Sequence, residues 1–166
     1  MRGNIKKLLD TLPQTGTLEQ ILLRPERKAP MVMVDSVLAQ PGQGLEGDRF
    51  SGQAESKRQV TLFQAENLAL LASVMRETRI DPALLRRNLI VRGINLHALS
   101  GRLFHIGSAI FEGAGQCHPC SRMEAALGPG GFNAMRGIGG LCARVVEAGQ
   151  LRVGDAIRVA EESKND

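Results

Sequence analysis

Cys117 and Cys120 are the residues whose type and spacing most clearly indicate chemistry in this chain. They lie in the stretch from Gly115 to Glu124, which also contains a histidine and an arginine. A thiol acts as a nucleophile or metal ligand in its thiolate form, which a helix N-terminus or a nearby cation favours. Cys120 follows a predicted strand and precedes a predicted short helix, with Arg122 close behind it. We therefore predict a reactive thiol at Cys120; the alternative is that both cysteines are buried structural residues.

Two other kinds of site also use a Cys-x-x-Cys pair such as Cys117 and Cys120. A structural zinc site needs a second pair of ligands, and Cys142, His97 and His105 are badly spaced to supply one. A thioredoxin-like dithiol belongs between the strand and helix of a βαβ unit, whereas the pattern here indicates antiparallel strands. Both remain alternatives to a single reactive thiol.

The composition is that of a globular protein and limits the ligands it is suited to bind. A chain of 166 residues, 43% of them apolar, can form one domain with a sizeable core. Only 3% of the residues are aromatic, so stacking platforms for single-stranded nucleic acid are nearly absent. The net charge of +4 suits an anionic ligand, but the basic residues are spread along the chain. We expect no nucleic-acid partner.

Cysteine usage and hydropathy indicate the compartment. Three cysteines, an odd number, argue against a disulfide framework. The first residues are charged and no apolar signal-peptide core follows them. No segment approaches the roughly 20 apolar residues that span a bilayer. We expect a cytoplasmic protein without a membrane partner.

The spacing of apolar and turn residues predicts a mainly β fold with helices (α+β). Short strands with turn residues roughly every 8 to 12 positions are typical of a closed or nearly closed antiparallel β-barrel, here with helical insertions. We predict one domain over 1–166 with its core at about 17–159, ending in a charged, frayed tail. The predicted strands are 17–23, 31–38, 58–63, 89–93, 102–106, 108–111, 141–146 and 155–159, and the predicted helices are 5–12, 64–77 and 82–85.

Two charged pairs lie beside predicted turns. Asp48 and Arg49 are near the tip of the glycine-rich loop 41–52, where glycines allow left-handed backbone or close approach to a ligand. Arg86 and Arg87 lead into a strand. Because adjacent side chains on a strand point to opposite faces, we expect at most one of them to face a pocket.

Five motifs in this order along the chain resemble the MOSC domain, a family named after the C-terminal domain of molybdenum cofactor sulfurases. The resemblance runs from about Thr17 to Val159 and is to the small stand-alone bacterial members. The motifs are GLEGDR at 44–49, RQVTL at 58–62, RNLIVRG at 87–93, CHPC at 117–120 and GD at 154–155.

The resemblance implies a MOSC-type barrel that binds molybdenum cofactor (molybdopterin), a pterin dithiolene carrying a phosphate. In the family, a cysteine that matches Cys120 ligates molybdenum or carries sulfur as a persulfide. Thiolate suits a sulfur-rich metal centre and arginine suits phosphate. Cys120 is therefore the expected metal ligand and catalytic residue, while Cys117 either resolves a persulfide there or is incidental. The residues expected to contact the cofactor or shape its site are Asp48, Arg49, Arg58, Arg87, Asn88 and Arg122.

Three functions remain open on this basis. One is the reduction of small N-hydroxylated compounds, with a separate electron donor because the chain has no flavin or iron-sulfur motif. The second is a sulfur carrier, in which a cysteine desulfurase loads Cys120 with sulfane sulfur for metal-sulfur cluster assembly. The third is a ligand-binding barrel with structural thiols. We expect no pyridoxal phosphate binding by the isolated domain.

Overall fold

Eleven strands and four α-helices form the part of the chain that the structure, a computed structural model, describes: residues 2–50 and 52–161. The predicted frayed tail lies outside these residues beyond 161. The helices are α1 Arg2–Asp10, α2 Glu66–Met75, α3 Ser121–Leu127 and α4 Gly131–Met135, with 3-10 helices at Pro82–Leu85 and Leu96–Leu99. The strands are β1 Gly16–Leu23, β2 Val32–Val34, β3 Ser36–Gln40, β4 Gly44–Leu45, β5 Val60–Gln64, β6 Leu89–Arg92, β7 Leu103–Ile106, β8 Ala109–Gln116, β9 Leu141–Glu147, β10 Gly149–Arg152 and β11 Ala156–Val159.

Seven strands close into a barrel in the order β1-β6-β5-β9-β8-β7-β11, and β11 pairs back onto β1. The closing strand β1 pairs with β11 at its start, with β6 over most of its length and with the extra strand β2 at its end. Strands β10, β3 and β4 form a separate small sheet. The predicted mainly β barrel with helical insertions is confirmed.

One pair of neighbouring strands in the barrel is parallel. Strand β5 runs parallel to β6, with Leu62 opposite Leu89. Parallel neighbours need a crossover connection, and α2 together with the 3-10 helix Pro82–Leu85 supplies it. The barrel is therefore mostly, but not wholly, antiparallel.

Apolar residues form two cores on opposite sides of the barrel wall. The first fills the barrel with side chains such as Ile21, Leu62 and Leu89. The second core lies between the barrel wall and the helices. The barrel contributes the next residue of each strand, namely Leu22, Phe63 and Ile90, and these pack with Leu71, Leu85, Met123 and Met135. Alternate side chains of a strand point to opposite faces. A run such as Leu89-Ile90-Val91 is therefore buried on both sides, and the helices of the second core are held against β1, β5 and β6.

Asn88, just before β6, is a buried amide whose side-chain oxygen and nitrogen are both fully hydrogen-bonded. Its Oδ1 accepts hydrogen bonds from the backbone N–H and the hydroxyl of Thr61, at 3.1 and 3.2 Å. Its Nδ2 donates to the carbonyl of Leu22 and to Oδ1 of Asp48, both at 3.1 Å. One buried amide thus connects β5, β1 and the loop that carries Asp48.

None of the helices in residues 2–50 and 52–161 is both long enough and apolar enough to cross a membrane.

We expect Asn88→Ala to lower the free energy of unfolding by about 3 kcal/mol, because it removes the side-chain partner of the buried N–H of Thr61 and of the carbonyl of Leu22. Urea denaturation measures this change. The matched control is Asn133→Ala on the exposed side of α4, which should change stability by less than about 0.5 kcal/mol. Equal effects of the two substitutions would contradict the role given to Asn88.

Candidate functional site

The segment with the two predicted thiols connects β8 to α3 and places its cysteines in opposite environments. Cys117 continues the pairing of β8 with β9, since its N–H donates to the carbonyl of Gly140 at 2.8 Å, and it is 1% exposed. Cys120 is the residue immediately before α3 and is exposed. The side chain of Cys120 does not cap the helix. Of the two, Cys120 is therefore the thiol that a ligand from solvent can reach.

Arg87 is a buried arginine that holds three backbone segments together around Cys117. It is 4% exposed. Its Nε donates to the carbonyl of Gly139 at 2.8 Å, and its Nη1 donates to that of Leu85 at 3.0 Å. Its Nη2 makes a longer bond of 3.4 Å to the carbonyl of Cys117. The guanidinium therefore fixes the end of the 3-10 helix, the cysteine segment and the glycine loop before β9 relative to one another.

Gly139 permits this close approach of the glycine loop to the cysteine segment. A Cβ atom at this position would lie 2.1 Å from the carbonyl oxygen of Cys117. No side chain fits there without moving the segment that leads to Cys120. The glycine cluster, which in sequence resembles a simple loop, is therefore part of the packing of the site.

A second buried thiol, Cys142, lies against Cys117. The Cys142 thiol donates to the carbonyl oxygen of Gln116 at 3.9 Å. Its interaction with the neighbouring Cys117 sulfur is the main cause that lowers the pKa of Cys117, to about 6. Burial opposes the change, while the positive charges of Arg87 and Arg58 add to it. The same interaction raises the pKa of Cys142. The pair therefore favours ionisation at Cys117 over ionisation at Cys142.

A basic pocket of about 280 Å³ opens on the side of the cysteine segment that carries Arg122. Six of its seven lining residues are cations. Such a concentration of guanidinium and ammonium groups suits a phosphate or carboxylate ligand. The residues that line it are Arg24, Glu26, Arg27, Lys28, Arg49, Arg86 and Arg122.

Two features of the backbone and side chains indicate that the basic pocket is built for a ligand. Lys28 and Arg86 have φ angles of 62° and 56°, in the left-handed region that costs a residue with a side chain about 1 kcal/mol. Within the described residues, the Nε of Arg24 is buried and has no hydrogen-bond partner. Burial, and then the charges of Arg24 and Arg122, lower the pKa of Arg86. An anion in the basic pocket would relieve this repulsion.

Asp48 supports the basic pocket from behind. Its side chain is 0% exposed, and its Oδ1 accepts from the backbone N–H of Arg24 at 2.7 Å as well as from Asn88. Its Oδ2 lies 3.6 Å from Nη2 of Arg24. The carboxylate therefore orients Arg24 and joins the pocket to the buried network of Asn88.

The residues predicted to bind the cofactor fall into two groups. Arg49 and Arg122 line the basic pocket. Asp48, Arg87 and Asn88 have buried side chains whose hydrogen bonds go to the protein itself. Contact of each group with a cofactor stays a prediction.

Sequence reasoning missed Arg24, Arg27, Lys28 and Arg86, which also line the basic pocket. The first three belong to a run of charges that directly follows β1, and this density of charge after a strand could have identified them. Arg86 lies on the left-handed residue after the 3-10 helix, not on a strand. We predicted that at most one of Arg86 and Arg87 faces a pocket, and one does. It is Arg86, whereas Arg87, the residue expected to contact the cofactor, lies in the interior.

Arg58 is the remaining predicted residue, and it lies outside the basic pocket. Its side chain is exposed, and its charge acts on Cys117 and Cys142. Its predicted contact with a cofactor also stays a prediction.

We expect the protein to bind inorganic pyrophosphate at low ionic strength, and Arg86→Gly to weaken binding roughly tenfold by removing one charged contact. Stability should stay within about 1 kcal/mol, since glycine relieves the left-handed strain while the hydrogen bond of Arg86 to Ala29 is lost. Titration calorimetry and urea denaturation measure the two effects. The control Arg158→Gln, an exposed position on β11, removes the same charge. Equal binding by both variants would rule out the basic pocket as the anion site.

Comparison with known proteins agrees with this architecture. The chain superimposes on the YuaD protein of Bacillus subtilis with a TM-score of 0.77 and 21% identity, over 92% of this chain and 100% of that one. It superimposes on YiiM of Geobacillus stearothermophilus with a TM-score of 0.72 and 14% identity, over 90% and 77% of the two chains. For YiiM of Escherichia coli the TM-score is 0.68, at 17% identity over 90% and 72%. At these identities the likeness shows a shared fold.

Sequence comparison identifies the family. No curated protein gives a significant sequence match. The family model of the MOSC domain matches residues 46–158, which is more than half of the 166-residue chain. The resemblance seen in the five sequence motifs is thereby confirmed. The chain belongs to the MOSC domain family.

Proposed function

We propose that this protein binds molybdenum cofactor, with the phosphate in the basic pocket and Cys120 as the protein ligand to the metal. The observation that carries the proposal is the pocket of six cations that reaches the cysteine segment through Arg122. The buried Nε of Arg24 lacks a hydrogen-bond partner within the described residues. A phosphate oxygen is an acceptor of the right charge for it. The residues present therefore fit the anionic part of the cofactor.

The thiols fit the metal-binding part of the same cofactor. Within residues 2–50 and 52–161, no group of three or more His, Cys, Asp or Glu side chains is arranged to hold a bare metal ion. A metal that arrives with its own dithiolene ligand needs few ligands from the protein. The exposed Cys120 supplies one soft donor of the kind such a metal prefers.

The chain's own residues position this thiol. Arg87 fixes the carbonyl of Cys117, three residues before Cys120, to the glycine loop. Asn88 and Asp48 hold the backbone of Arg24, which lines the basic pocket. Arg87 thus holds the segment that carries the thiol, and its neighbour Asn88 helps to hold the cation Arg24. The separation of Cys120 from the basic pocket therefore depends on these two adjacent residues.

The activity that we propose is the reduction of small N-hydroxylated compounds. When bound, the cofactor supplies a metal that can pass two electrons to a substrate. The overall reaction breaks the N–O bond, uses two electrons and two protons, and releases water. A separate redox protein is the proposed electron source. Arg122, two residues after Cys120, is the cation that we propose orients a polar substrate beside the thiol.

We expect protein produced in a host that makes molybdenum cofactor to contain up to one molybdenum per chain, and Cys120→Ser to lose most of it because oxygen is a harder donor than sulfur. Metal analysis by mass spectrometry measures this content. Ser121→Ala, at the neighbouring exposed position, serves as the control and should keep its molybdenum. Equal metal in the wild type and Cys120→Ser would exclude Cys120 as the ligand.

A sulfur carrier is the second candidate, favoured by the exposure of Cys120 and by three cysteines that are all free. We place either activity in the cytoplasm, where thiols stay reduced. In this alternative a cysteine desulfurase transfers sulfane sulfur to Cys120 as a persulfide.

One comparison separates the two candidates. The cofactor-loaded protein should oxidise reduced methyl viologen only when an amidoxime is added, and Cys120→Ser should abolish this oxidation. A carrier would instead show no amidoxime-dependent oxidation. Intact-mass analysis would then show the gain of one sulfur atom on Cys120 after incubation with a desulfurase and cysteine.

A further inference from the structure

Cys117 and Cys142 form a close pair of thiols on adjacent strands. Gly115 of β8 is opposite Cys142 of β9, and the N–H of Cys117 donates to Gly140, two residues before Cys142. The two cysteines are therefore diagonal neighbours on one face of the ladder. The Cys142 thiol donates to the carbonyl of Gln116, the residue before Cys117, at 3.9 Å, and both cysteines are buried, at 1% and 9% exposure.

The charge balance around Arg87 supports an ionised sulfur in this pair. All three hydrogen bonds of Arg87 go to neutral backbone carbonyls. Among the described residues, the groups whose negative charge acts on it are cysteines, with Cys117 foremost, and no carboxylate is among them. A buried guanidinium without a counter-charge is costly. The Cys117 thiolate is the anion that this position offers.

We propose that Cys117 and Cys142 are a redox-active dithiol, separate from Cys120, that hydrogen peroxide oxidises to an intramolecular disulfide. The Cys117 thiolate attacks one peroxide oxygen, so that the O–O bond breaks, a sulfenic acid forms and hydroxide leaves. The Cys142 sulfur then attacks the Cys117 sulfur, the S–S bond forms, and its proton and the sulfenic hydroxyl leave as water. In sum, two thiols lose two electrons and two protons, and one peroxide becomes two waters.

Burial selects the oxidant. A disulfide the size of oxidised glutathione cannot reach a sulfur that is 1% exposed, whereas peroxide is little larger than water.

Oxidation would change the site through Arg87. The disulfide removes the negative charge next to the guanidinium. That guanidinium holds the carbonyls of Cys117 and Gly139. The state of the dithiol thereby acts on the segment that leads to Cys120, although the dithiol itself does not depend on the proposed cofactor.

Tryptic mapping tests the proposal, because cleavage places Cys117 and Cys120 in peptide 103–122 and Cys142 in peptide 137–144. The reduced full-length protein is treated with one equivalent of hydrogen peroxide at pH 7, blocked with N-ethylmaleimide and digested. We expect a disulfide that joins the two peptides, with Cys120 carrying maleimide. A disulfide within 103–122, or Cys142 blocked by maleimide, would overturn the proposal.

Two variants make the test specific. Cys120→Ser should form the same cross-link at the wild-type rate, so this proposal and the proposed metal site can fail separately. Cys142→Ala should leave a sulfenic acid on Cys117 that dimedone traps. It should also slow the reaction with peroxide roughly tenfold, since Cys117 loses the neighbouring thiol whose interaction favours its thiolate. An unchanged rate in Cys142→Ala, or loss of the cross-link in Cys120→Ser, would contradict the assignment.

Discussion

Two adjacent buried polar residues, Arg87 and Asn88, must find hydrogen-bond partners inside the protein, and the rest of this structure depends on that constraint. Asn88 uses all its hydrogen-bonding capacity on β5, β1 and Asp48, and Arg87 binds three backbone carbonyls. A buried polar group left unpaired costs more than a typical hydrogen bond contributes. The barrel wall, the 3-10 helix, the glycine loop and the cysteine segment must therefore meet in one arrangement.

This arrangement separates cations that build the site from cations that are free to bind a ligand. The chain turns between Arg86 and Arg87, so that the guanidinium of Arg87 bonds to carbonyls in the interior while that of Arg86 faces the basic pocket. The left-handed φ of Arg86 makes the reversal possible in a single residue. A modest backbone strain thus yields two arginines with different tasks from two neighbouring positions.

The barrel could be predicted from the sequence because its strands carry local patterns, and the same patterns could not reveal its one parallel pair. The apolar runs of β5 and β6, and α2 between them, were predicted from the sequence. Their parallel pairing was not, because it depends on the packing of the helices against the barrel wall. Strand β10 was missed because Gly149-Gln-Leu-Arg152 buries only Leu151 fully. Two of the six cations of the basic pocket were predicted, Arg49 and Arg122, which lie in recognisable motifs. The charge run after β1 could have indicated three more, whereas Arg86 joins the pocket only through tertiary contacts.

The Cys-x-x-Cys stretch shows how two thiols three residues apart come to differ. Cys117 still belongs to the β ladder through its bond to Gly140, so its side chain takes the inward direction and meets Cys142 and Arg87. Pro119 cannot donate to that ladder, and pairing ends before α3 begins. Cys120 is consequently turned out to solvent at the start of the helix. The Cys-x-x-Cys pair therefore consists of one buried thiol beside Arg87 and one exposed thiol at the start of a helix.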